Sequence, residues 1–325
     1  MTTLKKQESK EISFLRSALT VDNPLTTTDG FLDWFKSRNQ SCLSEVYKIP
    51  LSDLGDWYFS DYPRRLVHQS GKFFSIGGIR VKTTFGPVSE WDQPIITQPE
   101  VGILGIITKV VGEVRYFLMQ AKMEPGNVNS VQLSPTVQAT RSNYTCVHKG
   151  KLPLYLEYFI KRGKSKILVD QIQSEQGARF SQKVNRNMVV EVESDIQVDE
   201  DFCWLTLGQI KQLLLKDNIV NMDSRSVLSC IPFMSVDPHR LSGVNSSLEA
   251  VDTQNSDRRI TGFSKSLLDS MVCREAACHT FDEIIGWYTE MRSKYYLAVE
   301  HISLDKIRSW VQTDCDIRHE TEQSF

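Results

Sequence analysis

The run ILGIITKVVGEVRYFLMQAKM, Ile103–Met123, is two apolar, β-branched stretches either side of Gly112-Glu113. That pattern predicts a β-hairpin, because a short glycine-bearing turn lets two strands fold back on each other. A polar stretch follows, QAKMEPGNVNSVQLSPTVQATRSNY, Gln120–Tyr144. It is too long for an ordinary turn, so it is either a surface insertion or a set of groups presented at the end of a sheet. Downstream, LPLYLEYFI and KSKILVDQI flank Arg162-Gly163-Lys164 and predict a second hairpin, and NMVVEVES predicts a further strand. Upstream, KFFSIGGIRVKTT reads as strands interrupted by Gly77 and Gly78.

Helical periodicity appears at the ends of this strand-rich region. Asp29 is a candidate N-cap before Phe31, Leu32, Trp34 and Phe35. In TLGQIKQLLLKDN, Leu207, Ile210, Leu213 and Leu214 share a face, and Thr206 with Gln209 forms a capping-box pattern. A shorter helix is expected in DSRSVLSCI, and Thr280 with Glu283 makes another capping box before Ile284, Ile285, Trp287 and Tyr288. Strands with helices at their ends make the fold class α+β.

The segment 34–57, WFKSRNQSCLSEVYKIPLSDLGDW, aligns without a gap on 287–310, WYTEMRSKYYLAVEHISLDKIRSW. They share five residues in register, Trp, Val, Ile, Leu and Trp, where chance gives roughly one or two. The expected organisation is an extension over 1–28, a first module over 29–234, a polar linker over 235–264 and the start of a second copy over 265–325. The apolar side chains of that second copy are expected to pack its helix on the first module or on a partner subunit, with order ending near Trp310.

Of the 325 residues, 40% are hydrophobic, enough for a sizeable core. The net charge of -2 argues against holding nucleic acid by bulk charge. No run of about 18 apolar residues predicts a membrane span, and the N-terminus has no signal-peptide core, so the expected place is the cytoplasm. The seven cysteines are odd in number and contain no C-x-x-C pair, which fits reduced thiols rather than a disulfide framework or zinc site. His68 and His148 have no partners at metal-ligand spacing, and neither a P-loop nor a G-x-G-x-x-G turn is present.

In the polar stretch, Lys122 and Glu124 lie two apart and share a strand face if the strand reaches them. They are a base with a cationic partner, or a solvated edge pair. Arg141 and Tyr144 are a phosphate clamp with a proton carrier, or a loop arginine with a core tyrosine. Glu175, Lys183, Arg186 and Asn187 form a second pocket wall or a charged loop.

Several motifs together resemble the NDP-hexose 2,3-dehydratases of deoxysugar biosynthesis: QPIITQPEVGILGI, FLMQAKMEPGNVNSVQLSPTVQATRSNYT, YLEYF, QSEQG, NRNMVVEV and EDFCWLTLGQI. The likeness runs from Phe31 to Phe233. It implies a Nudix-like mixed sheet with flanking helices, duplicated within a subunit, and a homodimer. The Glu-rich Nudix hydrolase helix does not occur here, so metal-dependent diphosphate cleavage is not expected. The resemblance implies loss of water across C-2 and C-3 of a dTDP-4-keto-6-deoxy-glucose, with no metal or other cofactor and with an NADPH-dependent 3-ketoreductase taking up the labile product. It casts Glu124 or Tyr144 as base or acid, Lys122 as the group polarising the ketone or leaving hydroxyl, and Arg141 and Arg186 near the diphosphate. Gln120, Asn127, Gln132, Gln138 and Glu175 are further substrate-binding candidates, and Trp91 is a thymine-stacking candidate or a core tryptophan. A non-catalytic nucleotide-sugar binding module, or an inactive fragment, is the competing reading.

Overall fold

A computed structural model describes residues 9–144, 152–233 and 277–321. The elements, in chain order, begin with α1 (Lys10–Leu19), α2 (Thr28–Ser41), β1 (Trp57–Phe59), β2 (Leu66–His68), β3 (Ser75–Thr83) and β4 (Glu90–Thr97). Next come β5 (Gly102–Val111), β6 (Val114–Met123), β7 (Val131–Ser134), β8 (Val137–Ala139), α3 (Arg141–Tyr144), α4 (Glu157–Ile160), β9 (Lys166–Ser174) and β10 (Val184–Glu191). The last are β11 (Phe202–Thr206), α5 (Leu207–Leu213), α6 (Met222–Ser229), α7 (Phe281–Lys294), β12 (Leu297–Ile302), β13 (Trp310–Gln312) and β14 (Ile317–His319). None of the described helices is long and apolar enough to cross a membrane. The chain divides into two compact units: Met1–Glu45 with Val101–Gln173 and Asn185–Met271, and Val46–Glu100 with Ser174–Val184 and Val272–Phe325.

The first unit is built on the expected hairpin. β5 and β6 turn at Gly112, whose φ of 63° a glycine adopts without strain. The sheet runs β11-β6-β5-β10-β9, with β10 parallel to β5 and β11 antiparallel to β6. Alternate residues serve opposite faces. Leu104, Ile106, Phe117 and Met119 pack with Phe14 of α1, Phe31 and Phe35 of α2, and Leu207 and Ile210 of α5. Ile103, Ile107, Leu118 and Trp204 pack with Leu156 and Phe159. Burial on both faces explains why the central strands read as continuous apolar runs.

The hairpin does not stay zipped. β5 and β6 pair from Val111↔Val114 as far as Ile107↔Leu118. Beyond that point Gln120 pairs with Ser134 of β7, while Gly105 pairs with Val137 of β8. Pro135 and Thr136 cross the gap between the two branches. The Thr136 hydroxyl donates to the Leu118 carbonyl and accepts from the Ile107 amide at 2.9 Å. One side chain thus takes over the hydrogen bonds that the parting strands give up.

Four local expectations are corrected. LPLYLEYFI is not a strand: Glu157–Ile160 is helical, because Leu156 and Phe159 are needed as a cover for the sheet face. Phe159 fits because Gly105 beneath it has no side chain. Helix α2 starts two residues earlier than an Asp29 cap requires, with the Thr27 hydroxyl accepting from the Gly30 amide at 3.0 Å. Ser75–Thr83 is one unbroken strand through both glycines. Regular structure does not end near Trp310, since β13 and β14 pair beyond it. The two capping boxes, at Thr206 and Thr280, form as expected.

In the second unit, β3 has β4 along one side, while β2 and β12 share the other, all antiparallel. Gly78 admits β12: a Cβ there would lie 2.8 Å from Ile307 Cγ1 and 3.0 Å from Ile302 Cγ1. Within the second unit the 281–294 helix buries none of its residues, and β12 is what ties this segment to the sheet. Asp92 locks it. Its buried carboxylate accepts from Arg80 Nε and Nη2 at 3.0 Å each, and from Arg308 Nε and Nη2 at 3.0 Å each. The Arg308 backbone amide adds a bond at 3.0 Å, and the Trp310 indole donates to the Asp92 carbonyl at 2.9 Å.

Two outcomes follow from these anchors. Thr136→Val keeps the shape but leaves the buried Ile107 amide without a partner, and should cost about 1–3 kcal/mol in denaturant melts. Equal stability would mean that the hydroxyl does not hold the fork. For Asp92, burial alone would raise the carboxyl, but the hydrogen bonds from Arg80 and Arg308 outweigh it and hold it below the usual carboxylate range. Its stabilisation is therefore complete above the unfolded aspartate value of about 3.9 and lost as pH falls below it. Asp92→Asn should cost about 1–3 kcal/mol at neutral pH, since both guanidinium groups keep contact with water, and should flatten the acid limb of the melting profile. An unchanged acid limb would contradict this role.

Candidate active site

The fork decides which polar groups meet. On the β6 branch, Gln120 lies opposite Ser134 and Lys122 lies opposite Gln132, so these four share one face. Glu124 is the first residue past β6. Its turn is tied by Glu124 N–H to the Ser130 carbonyl at 3.2 Å and by Asn127 N–H to the Glu124 carbonyl at 3.0 Å. On the β8 branch, Gln138 pairs in register with Leu104.

The side chains join across the fork. The Ser134 hydroxyl donates to Gln138 Oε1 at 3.2 Å, and Gln138 Nε2 donates to Glu124 Oε1 at 3.0 Å. Lys122 Nζ donates to the same Glu124 oxygen at 3.1 Å. Lys122 and Glu124 are both partly exposed, while Ser134 is fully buried. Glu124 Oε1 is therefore held from two sides, and Glu124 Oε2 takes no hydrogen bond among the described residues. A carboxylate fixed by one oxygen with the other turned to incoming groups can accept a proton from a carbon acid in a set geometry. The ammonium beside it can face charge that develops on the reacting molecule.

The remaining candidates are placed less centrally. Gln132 is buried and donates to Asn129 Oδ1 at 3.1 Å. Asn127 Nδ2 donates to the Ser130 carbonyl at 3.1 Å, which makes it a turn-holding residue. Arg141 is exposed at the start of α3, just past β8. Tyr144 ends α3, and its side chain lies outside the described residues. Arg186, on β10, makes a two-bond fork with Asp170 at 2.7 and 2.5 Å. That pairing raises the guanidinium and lowers the carboxyl from their ordinary values. An anion would have to compete with Asp170 for it.

Trp91 and Glu175 belong to the second unit. Trp91 sits on β4 opposite Val81, 36% exposed, with its indole donating to Gln93 Oε1 at 2.9 Å. It is thus neither a closed core tryptophan nor a free ring. The Glu175 backbone amide pairs with the Lys183 carbonyl at 2.9 Å. Lys183 itself is buried with Nζ on the Glu100 carbonyl, and burial lowers its pKa.

Sequence reading missed Ser134 and Thr136. The signal was available: two hydroxyl residues flank Pro135 within VQLSPTVQA, a short stretch whose other buried positions are apolar except for Gln132.

Comparison with known proteins places the chain in a family. The family model described as NDP-hexose 2,3-dehydratase matches residues 28–231. A dTDP-4-dehydro-6-deoxy-alpha-D-glucopyranose 2,3-dehydratase of Saccharopolyspora spinosa is 44% identical over 312 residues, covering 96% of this chain and 61% of its own length. Its counterpart of the same name in Amycolatopsis orientalis is 41% identical over 314 residues, covering 95% and 59%. The chain thus spans about three fifths of the length of these relatives. A crystal structure of an ADP compounds hydrolase aligns with a TM-score of 0.34 and 11% identity, over 62% of this chain and 98% of that one, a likeness too slight to argue a fold from. With the family model spanning the whole fork and the sheet around it, the chain belongs to the NDP-hexose 2,3-dehydratase family.

Proposed function

We propose that the protein removes water across C-2 and C-3 of dTDP-4-keto-6-deoxy-glucose. The observation that carries this reading is the Glu124 carboxylate, tied at Oε1 by Gln138 and Lys122 and taking no hydrogen bond at Oε2 among the described residues, inside the region that matches the family. The reaction needs a base at C-3, where the adjacent C-4 ketone makes the hydrogen acidic. Glu124 takes that proton, and the electron pair moves into an enolate on the ketone oxygen, which Lys122 faces. The enolate then expels the C-2 hydroxyl, which leaves as water after receiving a proton from Tyr144 or from the protonated Glu124. The product enol gains a proton at C-2 and loses its hydroxyl proton, giving a 3,4-diketo-2,6-dideoxy sugar. The ketone is the electron sink throughout, so this reaction calls on no metal or redox cofactor.

Binding roles complete the proposal. Arg141 takes the diphosphate, with Arg186 available only where Asp170 yields it. Gln120 and Gln132, on the same face as Lys122, contact sugar hydroxyls, and Gln138 orients Glu124. Trp91 offers a half-open ring face to thymine, and Glu175 lines the sugar nucleotide. The working form is a homodimer in the cytoplasm, feeding its labile diketone to an NADPH-dependent 3-ketoreductase. Residues 1–28 extend a first module over 29–234; 235–264 link it to the start of a second over 265–325.

Incubation with dTDP-4-keto-6-deoxy-glucose, a 3-ketoreductase and NADPH should consume NADPH and yield a 2,6-dideoxy sugar nucleotide. Glu124→Gln should slow this by roughly 10²–10⁴-fold with little change in substrate affinity. Tight dTDP-sugar binding with no turnover would favour a binding module instead. Near-normal turnover in Glu124→Gln would move the base elsewhere.

A further inference from the structure

The two faces of the second unit's five-stranded sheet differ in charge. Residues paired in register share a face, and alternate residues change it. One face carries every carboxylate of these strands: Glu90 and Asp92 on β4, and Glu300 on β12. The cations on that side are matched, since Arg80, Lys82 and Arg308 pair with Glu90 or Asp92. The opposite face has no acidic residue on any of the five strands. It has Trp91 and Gln93 from β4, His301 from β12, and Arg65, which immediately precedes β2.

Arg65 is laid on this face against a glycine. It stands one step before the Leu66↔Ile76 pair, which sets it beside Gly77. A Cβ on Gly77 would meet Arg65 Nε at 3.5 Å, and Cδ and Cγ at 3.6 Å each. Nε is buried without a hydrogen-bond partner, and the guanidinium makes no ion pair among the described residues. A cation held against the backbone and left without a carboxylate is what an anionic ligand completes. His301 stands on the same side of β3, paired with Ile79, with Nε2 3.4 Å from the Ser181 hydroxyl. Trp91 stands on the other side of β3. Its indole donates to Gln93 Oε1 at 2.9 Å, and Gln93 Nε2 donates to the Ala178 carbonyl at 2.7 Å, so the ring is set in place. β4 and β12 are two strand spacings apart, about 10 Å. That is comparable with the reach from the pyrimidine ring to the diphosphate in an extended nucleoside diphosphate.

We propose that Arg65 and His301 bind the diphosphate of the sugar nucleotide, across β3 from the Trp91 ring that takes thymine. Arg65 supplies a fixed charge and a planar fork for two phosphate oxygens. His301 adds a ring N–H. All of these residues belong to the second unit. The face without carboxylates meets the nucleotide's charge, where Arg186 would first have to leave Asp170. This inference deepens the dehydratase reading: it rests on Trp91 as the thymine platform and names the groups that recognise the charge.

The test is titration of the full chain with dTDP and, separately, with thymidine. The unaltered chain should bind dTDP. Arg65→Met keeps the stem against Gly77, and should weaken dTDP roughly 10–100-fold while leaving thymidine binding and the melting temperature unchanged. His301→Gln should likewise weaken dTDP and spare thymidine, whereas Trp91→Ala should weaken both ligands alike. Unchanged dTDP affinity in Arg65→Met, with dehydration of the sugar nucleotide intact, would overturn the assignment and leave the dehydratase reading standing. Equal loss of dTDP and thymidine with a lower melting temperature would also overturn it, making Arg65 a support for β3 alone. Failure of the unaltered chain to bind dTDP would overturn both readings.

Discussion

Where β5 and β6 part, a backbone amide and a carbonyl deep in the sheet would lose their partners, and the Thr136 hydroxyl takes both. An orphaned buried amide costs free energy comparable to a lost hydrogen bond, so a sheet cannot open in its middle without such a substitute. With the hydroxyl in place, the hairpin can divide into two branches and still remain one sheet. The polar groups of the candidate site sit on those branches. Lys122 and Glu124 come from the end of the β6 branch, Ser134 from β7 and Gln138 from β8. The network that fixes Glu124 thus depends on one side chain that need not touch any substrate.

The second unit is organised by a different constraint, a missing side chain and a buried charge. Gly78 leaves room for Ile302 and Ile307, and Asp92 gathers Arg80 and Arg308 around one carboxylate. The glycine makes close approach of β12 possible, and the charge fixes its continuation. Arg308 has no counterpart in the first copy, where the offset places Gly55. The two copies of the motif therefore share the apolar strand pattern but not the ionic lock.

Much of this was legible in the sequence, and the failures have physical reasons. The β5–β6 hairpin, the two capping boxes and the clustering of Lys122 with Glu124 were readable because each depends on residues close together in the chain. The α+β class was readable from the change of period. What a short window cannot see is a competition between distant elements. LPLYLEYFI has the composition of a strand, but Gly105 on another strand makes a seat for Phe159, and covering the core wins over extending the sheet. Gly78 looks like a break in a strand until β12 is laid against it, and the room beside Gly77 is taken by the Arg65 side chain. The fork was invisible for the same reason, since nothing near Thr136 announces that its hydroxyl will serve two other strands. The family resemblance pointed to one polar stretch, yet it could not separate Asn127, which holds a turn, from Gln138, which holds the Glu124 carboxylate.

In the proposed reaction, Glu124 Oε2, which takes no hydrogen bond among the described residues, removes the C-3 proton. The most direct measurement isolates that step with a 2-deoxy analogue of the 4-keto sugar nucleotide, which has no hydroxyl to expel. In deuterated water the protein can then only take the C-3 hydrogen and return a deuteron, and NMR reads the incorporation. The account predicts steady deuteration at C-3 by the unaltered chain and loss of it in Glu124→Gln with analogue binding retained. Equal deuteration by both proteins would contradict it and assign the base to another residue.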